Sequence, residues 1–438
     1  MKKTLLILLA TAAFGGTCAS AQEVLTLKDA VRLGLENGYS IQIAKNSSSI
    51  AANNNTYGNA GFLPRVDATV GGNIKASSDK TTRIDGSTTS VSPRTLNANA
   101  GVSLSWTLFD GMGMFIAKEK LDLLQKQGET TLRVNMENSA AQIISTYNAI
   151  VQQKQLIKVF TETMSISEQR VRIAQTAKRV GSGSDVALLK AEVDYKSDSS
   201  NLVQQNLALR NLKADLNQLL SRAPETTFEV EEQLPTIGPI AYPDIAAKAM
   251  EQNPSLIEAR QELSIQQLGI KEVKSTALPY VTLNSSYTFN KYSYTNGAYD
   301  ALQSHGPYVG VTAGITLFDG FNIRRNERNA QLQVSSMEVR VQQLEQELLT
   351  SILKTYNAYT TAQSVVEIEQ KSLELAQKNL TIALKAYEQG SISDIDMRET
   401  QRSFVDVSYR LINAQVNLKN TEVELRRISG TLTLPDQQ

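Results

Sequence analysis

Few side chains in this sequence have the type and spacing to carry covalent chemistry. His305 is the only histidine and Cys18 the only cysteine. A lone histidine makes neither a catalytic pair nor a histidine metal cluster. Gly181-Ser182-Gly183 reads as a hairpin turn and not a phosphate cradle, because no lysine follows where a phosphate loop needs one. No set of nucleophile, base and oxyanion donors can be assembled, so no enzyme and no cofactor is expected. What remains is a group of carboxylates and hydroxyls at two places in the chain. Ser184 or Asp185, and Ser393 or Asp394, have the types that cap helices. Asp396 and Glu399, three apart, share one helix face. Asp396 would also sit in a first turn, where the helix dipole favours an acid. Tyr280, Tyr287, Tyr292, Tyr294, Tyr299 and Tyr308 crowd one stretch, as an interfacial girdle or a ligand surface would.

The charge balance narrows the partners. The 44 basic and 44 acidic side chains leave no basic excess, so no nucleic acid is expected to bind. No apolar run reaches the ~20 residues of a spanning helix. The longest lies between Thr4 and Phe14, behind Lys2 and Lys3 and ahead of Ala19-Ser20-Ala21. That is the layout of a secretory signal peptide, residues 1–21, cut after Ala21. Cys18 falls inside it, so disulfides and cysteine metal sites are not expected in the mature chain. The rival reading makes Cys18 a lipid-modified N-terminus.

The elements that must position these residues start with a two-sided strand. From Leu96 to Leu108 every second residue is apolar, and the residues between are small and uncharged. A period of two marks a strand with unlike faces. Small polar residues suit a wall facing water inside a barrel whose other face meets lipid. The alternation recurs over 66–74, 281–290 and 308–317, each about the length a tilted strand needs to cross a bilayer. Four strands cannot close alone, since the smallest membrane barrels use about eight. An open edge in lipid would leave backbone groups unpaired. Copies must therefore pool their strands, a deduction that leaves their number open.

The chain is also a duplication. Leu108-Phe109-Asp110-Gly111 returns as Leu317-Phe318-Asp319-Gly320, and Thr146-Tyr147-Asn148-Ala149 as Thr355-Tyr356-Asn357-Ala358. Gly181 and Asp185 return as Gly390 and Asp394, and all three pairs are 209 residues apart. Leu63-Pro64 and Leu278-Pro279 are 215 apart. Two copies of one unit follow, over 22–222 and 244–430, with a proline-dense linker over 223–243 and a tail over 431–438. Each unit reads helix, strand, strand, long helix, shorter helix. The first helices are expected near 26–59 and 244–276, the long ones near 114–179 and 321–389, the last near 185–222 and 394–429. The stretch 77–93 reads as a solvated loop. A stripe stepping by three or four, apolar except where Thr355, Glu369 and Lys154 interrupt it, runs from Val341 to Tyr387 and from Ala140 to Met164 and makes a coiled-coil seam. The first and last helices of a unit, stacked end to end, match the roughly 100 Å of its long one.

In order and duplication these motifs resemble the TolC-type outer-membrane factors, the exit ducts of tripartite efflux pumps and type I secretion systems. Leu25-Thr26-Leu27-Lys28-Asp29-Ala30 with Leu35-Glu36-Asn37, the Leu-Pro pair, both Leu-Phe-Asp-Gly copies and both Gly-to-Asp turns carry the resemblance. It implies a homotrimer: a twelve-stranded membrane β-barrel, four strands per protomer, above a long antiparallel α-helical coiled-coil barrel reaching into the periplasm. A periplasmic adaptor protein would dock at the hairpin tips near Gly181, Ser184, Gly390 and Asp394, and an inner-membrane transporter would supply energy. The resemblance also assigns a gate, with Tyr387 held to Asp185 on the opposite hairpin. Ile392 stands where the family has an arginine, which removes the charged part of that latch. Asp396 and Glu399 match acidic rings at the narrowest point, a constriction for cations. The rival of another class is a structural or adhesive surface coiled coil without a pore.

Overall fold

The computed structural model describes residues 24–92, 94–232, 240–295 and 300–432. The expected leader with Cys18, Pro235 and Pro239 of the linker, Tyr299 and residues 433–438 of the tail lie outside them. In chain order the elements are β1 (Val24–Leu25), α1 (Leu27–Asn37), α2 (Tyr39–Asn54), β2 (Arg65–Ala76), β3 (Asp79–Thr82), β4 (Thr88–Val91), β5 (Arg94–Asp110), α3 (Gly113–Arg179), α4 (Asp185–Leu219), β6 (Glu229–Val230), α5 (Tyr242–Gln252), α6 (Pro254–Ser275), β7 (Tyr280–Thr295), β8 (Ala301–Gly314), α7 (Asn322–Glu388) and α8 (Asp394–Ile428).

The four alternating runs form one antiparallel sheet in the order β2-β5-β7-β8. Its register aligns like with like. Val102 faces Ala68 on one side and Tyr287 on the other, and Leu283 faces Val311. One face therefore gathers most of the apolar side chains, with Ser285, Lys291 and Gln303 among them, and the other carries Asn, Ser, Thr and Gly together with tyrosines. The apolar face is bare: Val70 is 88% and Val309 69% exposed. The sheet has two free edges, at β2 and β8.

Several expected elements need correction. The first helix of each unit is two helices. At Gly38 the chain must leave the helix, and a Cβ there would lie 2.4 Å from the Gly34 carbonyl oxygen. At the corresponding point Pro254 forces Asn253 into an extended conformation. The expected loop over 77–93 holds a hairpin, β3 paired with β4. Residues 315–317 lie beyond the end of the fourth strand. The linker is not wholly irregular, since β6 pairs in parallel with β1.

Helices α3 and α7 each have 67 residues, roughly 100 Å at 1.5 Å per residue. Every expected seam position from Val341 to Tyr387 is buried or half-buried. Helices α2 and α4 lie along one side of α3, α6 and α8 along its other side, and α7 beyond those. Four helical columns thus follow each other in the order of the four strands they join. Three apolar cores hold this wall. The first surrounds Tyr147, Ile150, Leu216 and Phe228, the second Ile352, Leu256 and Leu425, and the third, near the tips, Met397, Phe404 and Leu380. Tyr147 Oη donates to the Leu25 carbonyl at 3.0 Å and accepts from the Glu231 N–H at 3.1 Å, tying the β1–β6 strap to α3. Among the described residues no helix is long and apolar enough to cross a membrane, which says nothing of a β-barrel.

Candidate functional site

Far from the sheet, α3 turns into α4 and α7 into α8. Both turns use a glycine in the left-handed region, Gly181 at φ +79° and Gly390 at φ +71°, where glycine alone is unstrained. The N–H groups of Ser182 and Ser391 return to the carbonyls of Ala177 and Ala386, closing the long helices. Ser184 caps α4, accepting from the Ala187 N–H at 3.1 Å. Ser393 caps α8 in a capping box with Asp396, whose carboxylate accepts from the Ser393 Oγ at 2.7 Å and from its N–H at 3.3 Å. Asp394 is the first residue of α8 and not its cap.

Behind the tips the two hairpins are joined by a polar cluster. Arg170 of α3 has no exposed side-chain surface. It donates to Asp394 of α8, to Asp194 of α4 at 3.1 Å and to Gln401 of α8 at 3.3 Å. Arg398 of α8 grips Asp198 of α4 with two bonds of 2.7 and 2.9 Å. Gln401 donates to the Thr163 carbonyl and to Ser167, and Ser167 donates to Asp198. Burying charge is costly unless it is paired and hydrogen-bonded, and here two cations meet three carboxylates. Burial opposes the Arg398 charge, yet the hydrogen bond and charge of Asp198 hold its pKa above the ordinary arginine value.

Tyr387 belongs to this cluster, with its hydroxyl 3.2 Å from Asp394. Burial first, and then the Asp394 charge, raise its pKa. The pairing of Tyr387 with Asp185 is not formed within the chain. Asp185 is exposed and bonds Lys178 of its own hairpin at 2.5 Å. Ile392 packs against the apolar core at the tips. The cation that meets Asp394 comes from α3, as Arg170. Its sequence mark was a charge in the apolar stripe of α3, facing Asp394, Arg398 and Gln401 at steps of four and three. Asp396 and Glu399 are both exposed on α8. Glu399 lines an open groove of about 490 Å³ between α4 and α8, with Val186, Leu189, Val193, Ile395 and Arg398.

The sheet gives a second result. Tyr292 pairs with Asn97 and Tyr308 with Ser286, and Tyr280 and Tyr294 share their parity, so these four lie on the polar face. Tyr287 alone of the described tyrosines of that stretch lies on the apolar face. These four therefore do not share a face with Val281, Leu283 and Phe289. His305 lies on the apolar face too, its ring 6.4 Å from Phe289.

The profile of the family described as "Outer membrane efflux protein" matches residues 33–222 and 245–431. The chain is 22% identical over 356 residues to the outer membrane protein TolC of Salmonella enteritidis, covering 78% of this chain and 71% of that one. It is 20% identical over 446 residues to TolC of Vibrio cholerae serotype O1, covering 99% and 97%. The crystal structure of the Campylobacter jejuni CmeC outer membrane channel superposes with a TM-score of 0.74 at 17% identity, covering 94% and 87%. The two-faced sheet on a helical wall and the double match of the profile agree: the chain belongs to the outer membrane efflux protein family, as an exit duct of the outer membrane.

Proposed function

We propose that three copies of the chain close into one duct, a twelve-stranded barrel in lipid above a tunnel of twelve helical columns. The observation that carries this is the shared order of columns and strands, β2-β5-β7-β8. A sheet that gains a neighbour at β8 gains a helical neighbour at α7 in the same movement. Helix axes pack about 10 Å apart, so twelve columns give a tunnel roughly 38 Å across between helix centres. Residues 22–222 and 244–430 would be the two structural repeats, with 223–243 as a strap around the tunnel. The apolar sheet face meets outer-membrane lipid, and the Asn, Ser, Thr and Gly face meets water.

The tips form the gate. The Arg170–Asp394–Tyr387 cluster keeps the hairpins together, and Asp396 and Glu399 supply a carboxylate ring that attracts cations. A periplasmic adaptor docks at the turns around Gly181, Ser184, Gly390 and Asp394, with an inner-membrane transporter behind it. Docking loosens the cluster and the tip widens. Planar-bilayer recording tests the duct, because a surface coiled coil without a pore would give no conductance. The ring is tested in the same recording with Asp396→Asn and Glu399→Gln together. Asparagine keeps a side-chain oxygen at 396 that can accept from Ser393, which alanine would remove. Loss of block by trivalent cations supports the ring, and unchanged block rejects it.

A further inference from the structure

The two borders of the sheet's apolar face differ in chemistry. At the end joined to the helices the border is aromatic. Trp106 donates from Nε1 to the Phe62 carbonyl at 2.9 Å, and the Phe62 ring meets Tyr57 and Phe115 edge-on at 5.4 and 5.0 Å between centroids. Aromatic rings of this kind sit at a lipid–water boundary. The cations beside them, Arg65 and Lys118, are each paired with an acid, Asp67 and Asp122. At the other end the border is basic. The last hydrocarbon side chain of β7 on that face is Phe289, and the next residue on it is Lys291. At ~3.3 Å per residue and a tilt of about 40°, Lys291 stands roughly 25 Å beyond Val281. That is the height of the apolar band on a membrane barrel, so Lys291 lies where hydrocarbon gives way to headgroups.

Lys291 has polar company there. Gln303 faces it across the β7–β8 pair, and His305 is its diagonal neighbour, about 7–8 Å away. The His305 ring lies 6.4 Å from Phe289 and 6.5 Å from Tyr287, and the residue stays exposed. Arg94 follows on β5, on the same face, opposite Thr295. Both cations are exposed, and neither is paired with a carboxylate among the described residues. The apolar face of the sheet carries no carboxylate among the described residues, whereas the polar face carries Asp67 and Asp110. Asp79, Asp85 and Asp300 lie beyond the ends of these strands. In water such cations would be solvated. Above a band that faces lipid they meet headgroups instead.

We infer that this border binds the phosphate headgroup of an anionic lipid whose chains lie along the apolar face. Lys291 supplies the charge, and Gln303 and His305 supply N–H donors beside it. Arg94 reaches the outer part of the same headgroup layer. The border stands at the end of the strands away from the helices, which places the lipid in the outer leaflet. Lysine and arginine near a membrane surface each strengthen the attraction to anionic lipid, by about fivefold in affinity. Between charges this exposed the attraction is screened by salt.

This rests on the apolar face meeting lipid, and one experiment separates the two. The full-length protein, purified in detergent, is titrated at low salt with phosphatidylglycerol or with phosphatidylcholine of the same chains. Bound lipid is counted by native mass spectrometry. The inference predicts tighter binding of phosphatidylglycerol, and a loss of at least about tenfold in that affinity in Lys291→Gln with Arg94→Gln. Lys75→Gln with Lys80→Gln controls for net charge, because Lys75 pairs with Thr95 on the polar face and Lys80 lies on the outer hairpin. Inorganic phosphate at the lipid's concentration is expected to leave the lipid bound, and full displacement would make this a site for the free ion and overturn the lipid. Equal affinities for the two lipids, an unchanged affinity in the first double variant or an equal loss in the second overturns the inference and leaves the apolar face in lipid. A particle that binds neither lipid overturns that contact, and the inference with it.

Discussion

Arg170 sits without exposed surface among Asp394, Asp194 and Gln401. An apolar residue there leaves Asp394 without its cation and Asp194 with only the longer contact to Arg398 at 3.5 Å, and breaking a buried pair from one side costs ~3–5 kcal/mol. Arg170→Met is therefore expected to lower the thermal midpoint and, with the tips released, to raise resting conductance in a bilayer. Unchanged conductance would separate the cluster from gating. Glu229 predicts a pH response at the strap. Burial acts to raise its pKa, but hydrogen bonds from Lys213 and Lys154 outweigh it and hold the carboxyl below its ordinary 4.5. A depressed carboxyl stabilises the fold above its unfolded pKa, and that contribution is lost as pH falls through the folded value. Acid unfolding below about pH 4.5 is expected to flatten in Glu229→Gln, measured as thermal midpoint against pH. Serines at the helix starts could be read from the sequence as caps because a cap is a local property. Arg170 could not be assigned a role in the same way, because a charge in an apolar stripe does not name its partners, which come from two other helices, α4 and α8.

Elements were more legible than contacts. The long helices and their seam follow from a period of three and four, and the strands from a period of two. The breaks at Gly38 and Asn253 were missed although Pro254 marks one of them. The hairpin over 79–91 was missed as well, since polar strand and polar loop have like compositions. The repeated Leu-Phe-Asp-Gly motif acquires a cause. Its aspartate accepts from the start of the next helix, Asp110 from the Met114 N–H and Asp319 from the Asn322 and Ile323 N–H groups. The glycine and the residue after it, Met112 or Phe321, have positive φ. Substitution should then cost more at the strand end than at the tip. Gly390→Ala meets nothing within 4 Å and is expected to cost ~1 kcal/mol from backbone strain alone. Gly111→Ala adds a collision with the Ser275 carbonyl and should lower the thermal midpoint further. Equal midpoints would show that the strand–helix turn can shift without penalty.

At the scale of the molecule, one chain is an arc. Its sheet ends in unpaired strands at β2 and β8, and its wall ends in α2 and α4 on one side and α7 on the other. The need for partners was legible in the sequence, because four strands make too short an arc to close. The way the arcs join was not, because it depends on which helices share an edge with which strands. The number of copies is where the account is most exposed, and native mass measurement of the detergent-solubilised particle tests it directly. The account predicts a mass of three chains. A particle of one chain that still conducts ions across a bilayer would contradict it.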